Sequence, residues 1–154
     1  MPGRRALKVI LLPALAASLG GCFLENSSAA SGVCVPENPS VASEQVGAGE
    51  SVSVEVPGLR APGDCTSELP SGAGYKVQLV TEDGQYRVDL GSLIPDHSGR
   101  ARGEFVVPKD FPRGKSTVRI KVEGAILQCE TDGSAICANS WELLRITEPS
   151  PRVP

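Results

Sequence analysis

The chain has 154 residues, of which 40% are apolar and only 4% aromatic, with 17 glycines, 13 prolines and a net charge of −3. That is enough chain for one domain of ordinary size. The few Lys and Arg stand between acidic neighbours, so neither nucleic acid nor an anionic lipid surface is expected to bind through a basic stripe.

The first segment reads as an address. Arg4, Arg5 and Lys8 precede an apolar run from Val9 to Leu19 that is too short, and too interrupted by Pro13, to span a bilayer. The run ends in Leu19-Gly20-Gly21-Cys22, which resembles the lipobox of bacterial lipoproteins. The resemblance implies that residues 1–21 are a signal peptide and that Cys22 becomes the lipidated first residue of the mature chain. The chain would then be held on the extracytoplasmic side of the cell membrane. Acyl chains anchor by burying methylenes at about 0.8 kcal/mol each, so two or three chains hold firmly where one does not. The competing reading is an ordinary signal peptide with Cys22 left as a structural thiol. Without residues 1–21, twelve basic residues face eighteen acidic ones, a net charge of −6.

Residues 22–32 form the expected tether, because Phe23 to Gly32 is small, polar and without periodicity. Residues 33–147 read as a single β domain. A first strand is expected between Val33 and Val46. Val52, Val54 and Val56 then alternate with Ser51, Ser53 and Glu55, as Tyr75, Val77 and Leu79 do with Lys76 and Gln78. Glu82-Asp83-Gly84 is a tight turn into a strand in which Tyr86, Val88 and Leu90 alternate with Arg87 and Asp89. Phe105 and Val107 follow, and then Val118, Ile120 and Val122 alternate with Arg119, Lys121 and Glu123. A last hairpin is expected from Ala125–Cys129 and Cys137–Ile146. Residues 148–154 hold three prolines and read as a loose tail.

With Cys22 set aside, Cys34, Cys65, Cys129 and Cys137 are an even number in a compartment where disulfides persist. Three connectivities are open. The preferred one joins Cys34 to Cys65 and Cys129 to Cys137, the second pair because a hairpin centred on Asp132-Gly133-Ser134 sets those cysteines opposite each other. Zinc is disfavoured by the lack of a Cys-x-x-Cys spacing and by the single histidine, His97.

Short strands at this spacing, each with one apolar face, predict an all-β fold: an immunoglobulin-like antiparallel β-sandwich of seven to eight strands. The stretch Gly103-Glu104-Phe105-Val106-Val107-Pro108, with Pro112-Arg113-Gly114 after it, resembles the late strands of Ig-like modules in bacterial surface proteins. Ser116 stands where many of these modules carry a corner tyrosine, and no cysteine lies inside the central strands.

The candidate chemistry is sparse. Asp96-His97-Ser98 holds the residue types of a hydrolase triad, but three consecutive loop residues do not converge as a triad must. Glu82-Asp83, Asp110 and the Glu130/Asp132 pair have no spacing that suits calcium or a glycosidase. Trp141 reads as core packing, with an exposed aromatic for a partner or a sugar as the alternative, and Phe111 as a plug at the sandwich end. No catalytic, metal or cofactor residues are assigned. The chain is expected to be a surface-tethered binding module, with an envelope protein or glycan as partner and contacts in Ala61–Gly74 and Glu130–Ala138. The alternative is an accessory subunit of an envelope complex or an inhibitor of a secreted enzyme; a hydrolase ranks last.

Overall fold

The computed structural model describes residues 32–60, 64–131 and 140–149. Eight strands are found among them: β1 (Ser40–Val41), β2 (Gln45–Gly47), β3 (Ser51–Val56), β4 (Gly74–Thr81), β5 (Arg87–Leu93), β6 (Ala101–Val106), β7 (Gly114–Glu123) and β8 (Ser140–Thr147). One four-residue helix, α1 (Gln128–Thr131), separates β7 from β8. The strands form a three-stranded sheet in the order β1-β3-β6 and a five-stranded sheet in the order β2-β8-β7-β4-β5. The chain is all-β in architecture, as expected.

Period-two alternation is what places the core. Val52, Val54 and Val56 of β3 face Tyr75, Val77 and Leu79 of β4, Val118 and Ile120 of β7, and Leu144 and Ile146 of β8 in one buried apolar cluster. Phe105, Val107 and Phe111 extend it. The β4–β5 turn closes as the sequence suggested: the Gly84 amide donates to the Thr81 carbonyl at 2.8 Å, with Gly84 at φ +70°, a conformation glycine adopts without penalty.

Four sequence expectations are corrected. The first strand is not continuous. Pro36 and Pro39 remove two ladder donors, so residues 33–39 make only isolated bridges, and after them the chain pairs in two short pieces, β1 in one sheet and β2 in the other. Between them Ser43 makes a local turn, its hydroxyl donating to the Gln45 carbonyl at 2.6 Å. The fold is not wholly antiparallel either, because crossing to the second sheet brings β2 alongside β8 in parallel, Val46 opposite Ile146. The expected last hairpin fails at its first arm, where Gln128–Thr131 is helical and Glu130 caps the turn by accepting the Leu127 amide at 2.9 Å. The fourth correction concerns β5. Its ladder with β4 shifts register between Val77 and Gln78, and Tyr86 lies before the strand, edge-on to the buried Phe111 ring at 5.3 Å. Val88 and Leu90, on this edge strand, are only half-buried against the core.

Candidate functional site

The cysteines define one end of the domain. Cys34 is bonded to Cys65. The segment carrying Cys34 is clamped on both sides: the Val33 amide donates to the Ile126 carbonyl at 2.8 Å and the Cys34 amide to Thr66 at 3.0 Å. In return, the Thr66 amide donates to Gly32 and the Gln128 amide to Val33, both at 2.9 Å. Cys129 is also disulfide-bonded. Cys137 lies outside the described residues, as do Cys22 and residues 1–21. Of the loops expected to make contacts, 61–63 and 132–138 likewise fall outside them, while 130–131 belong to α1. The described part of the first loop, 64–74, is largely exposed and is pinned by Leu69, whose amide donates to the His97 carbonyl at 2.9 Å.

The acidic candidates serve turns and do not converge. Asp96 accepts from the Ser98 hydroxyl at 2.7 Å and from the Ser98 and Arg100 amides at 2.9 and 3.0 Å, so it organises its loop. These bonds, the Ser98 hydroxyl first, hold its carboxyl below the usual range. Asp83 accepts from the Thr81 hydroxyl at 2.6 Å and the Gln85 amide at 3.0 Å, which lower its pKa in the same way. Glu82 pairs with Lys115 at 3.6 Å, and Glu130 caps α1. Among the described residues, no group of three or more His, Cys, Asp or Glu is placed to hold a metal ion.

The feature that sequence reasoning missed is the outer face of the five-stranded sheet. Trp141, expected in the core, is 47% exposed, because β8 turns Ser140, Leu144 and Ile146 inward and leaves Trp141, Leu143 and Arg145 outside. Cross-strand register then collects the cations that looked dispersed along the chain. One row runs Trp141, Arg119, Gln78, Asp89 across β8, β7, β4 and β5; the next runs Leu143, Thr117, Val80, Arg87. Arg145 stands opposite Lys115, and Lys121 opposite Lys76.

Six of the twelve basic residues after residue 21 thus project from this face, against two acidic strand residues, Asp89 and Glu123. Both acids serve Lys76, at 3.8 and 3.0 Å, and the Glu123 contact is the main reason that the Lys76 pKa is raised. Arg87, Arg119, Lys121 and Arg145 form no ion pair among the described residues. Arg119 spends its Nε–H on the Thr117 hydroxyl at 3.3 Å. Beneath them Val80 points away from the main cluster and is nevertheless fully buried. Two shallow depressions open on the face. One, of about 260 Å³, lies among Gln78, Arg87, Arg119 and Lys121, and the other, of about 270 Å³, beside Lys115, Leu143 and Arg145, with Glu44 and Glu142 also on its wall. The signal for this face was present in β8, where Trp141 and Leu143 occupy one parity and Leu144 and Ile146 the other. A strand apolar on both faces has a second surface to account for.

No family model and no curated protein sequence matches the chain. Two solved structures of superoxide reductase (neelaredoxin) from Ignicoccus hospitalis resemble it at 10% sequence identity and a TM-score of 0.41, each match covering 73% of this chain and 82% of that one. A likeness so loose carries no argument about what this chain does.

Proposed function

We propose that the chain is a lipid-anchored, extracytoplasmic binding module of immunoglobulin-like build that works without catalytic turnover. The observation that carries the binding reading is the outer face of the five-stranded sheet, where an exposed tryptophan and leucine stand among six cations, four of which form no ion pair among the described residues. The Ig-like reading is supported by strand order. A first strand divided between two sheets, three strands in one sheet and a longer second sheet in which the last two strands lie between β2 and β4 follow the plan of such sandwiches. The lipid anchor rests on Leu19-Gly20-Gly21-Cys22 at the end of its apolar run.

Mass spectrometry of the mature protein tests the anchor. The expected result is an N-terminal, acylated Cys22, with Cys22→Ala protein leaving the membrane fraction. An unmodified mature N-terminus at another residue would overturn it. Hydrolysis that disappears in a folded His97→Ala variant would overturn the non-catalytic reading.

A further inference from the structure

We infer that the outer face of the five-stranded sheet docks an acidic segment of a partner protein, with Trp141 and Leu143 as apolar anchors and Arg87, Arg119, Lys121 and Arg145 as the cations that meet its carboxylates. This inference deepens the binding-module reading and rests on it. Charge decides the sign of the partner. The domain is acidic overall, yet half its basic residues stand on this one face, and four of them have no internal counter-ion among the described residues. Like charges held on neighbouring strands repel, and an acidic partner relieves that repulsion while it gains attraction.

Anatomy decides the class. Trp141 is 47% exposed and Leu143 57%, side by side on one strand, with the cations around them. An apolar centre inside a charged rim, rich in Trp and Arg, is how protein interfaces are built. A nucleic-acid duplex or a polyuronate would use the cations and leave Leu143 in water. The sheet face is shallow, with depressions of about 260 and 270 Å³ that suit side chains rather than an engulfed ligand.

Trp141 is the chain's only tryptophan, so its fluorescence reports this face directly. The full chain, purified in a non-ionic detergent at low ionic strength, is titrated with poly-L-glutamate, which carries carboxylates on a peptide backbone. The expected result is a saturable change in Trp141 emission that weakens as salt is raised. Arg119→Glu combined with Lys121→Glu should weaken the apparent affinity roughly tenfold or more. Arg102→Glu, on the outer face of the three-stranded sheet, should leave it unchanged. Arg87→Gln gives a milder loss and serves should the double reversal fail a circular-dichroism check of folding.

Emission that poly-L-glutamate does not move would overturn the inference, as would equal sensitivity to Arg102→Glu. Tighter binding of hyaluronate, a DNA duplex or phosphatidylglycerol mixed micelles than of poly-L-glutamate would transfer the face to that other class. A dimer in sedimentation that Leu143→Glu dissolves would mean that a second copy covers it. None of these results depends on Cys22, so failure of the anchor and failure of this surface are told apart.

Discussion

Tyr75 shows how one side chain links strand, loop and pH. Alternation alone puts it on the core face of β4, where it is fully buried, and its hydroxyl donates to the Gly99 carbonyl at 2.9 Å. Gly99 accommodates this because it has φ +82° and no side chain; a Cβ there would come within 2.7 Å of Leu59 and 2.8 Å of the Tyr75 hydroxyl. Burial first, and the charge of Asp96 second, push the phenol's pKa well above its ordinary value. A folded-state pKa above the unfolded value of about 10 means that the stabilisation is fully present below pH ~10 and is lost as pH rises through the folded value. Urea unfolding followed against pH should therefore show stability falling on the alkaline side. Tyr75→Phe should cost about 1 to 2 kcal/mol at neutral pH, by orphaning the carbonyl, and should flatten that alkaline fall. Parallel alkaline falls in both proteins would show that Tyr75 is not the titrating group. Ser116 is the counter-case: its hydroxyl is buried with no hydrogen-bond partner among the described residues, at the position where many Ig-like modules carry a corner tyrosine.

Strand β3 allows the same reasoning at the level of an element. Val52, Val54 and Val56 are buried, whereas Ser51 and Glu55 are exposed and Ser53 half-buried. Val54→Asp would place a carboxylate in a fully apolar site with no partner and should destabilise by roughly 3 to 5 kcal/mol, enough to unfold a marginal domain. Ser53→Asp should stay within about 1 kcal/mol, its main penalty being the like charge of Glu104 directly opposite on β6. Equal losses in chemical denaturation would reject the assigned face. The faces of β3, β4 and β7 were legible in the sequence because period two is a local property of a strand paired on one side of a core. The late start of the first strand is legible too, in Pro36 and Pro39, but its division between β1 and β2 is not. The parallel pairing of β2 was not, since it depends on where the chain lands after changing sheets. Nor was the cationic face: Arg87, Arg119 and Arg145 are far apart in sequence and become neighbours only through register.

For the molecule as a whole, the decisive arrangement is where the chain enters the domain. Gly32 to Cys34 is held between Thr66 on one side and Ile126–Gln128 on the other, and the Ser140 hydroxyl donates to the Pro36 carbonyl a little further on. These contacts tie the entry segment to the β3–β4 connection, to the stretch after β7 and to the start of β8. The Cys34–Cys65 bond makes one of those ties covalent across a sequence separation of 31. A loop of that size restricts the unfolded chain enough to contribute about 3 to 4 kcal/mol, if native geometry is undisturbed. Replacing both residues, as Cys34→Ser with Cys65→Ser, should lower unfolding free energy by about that amount. The loss should be uneven in hydrogen exchange. Amides of Val33, Cys34 and Thr66, whose bonds depend on the clamp, should lose protection well before Val77, Val118 and Leu144, which the core holds independently. Uniform loss across all six amides would mean that the entry segment and the core open as one cooperative unit. Unchanged stability would mean that the hydrogen-bonded clamp orders the entry without its covalent tie.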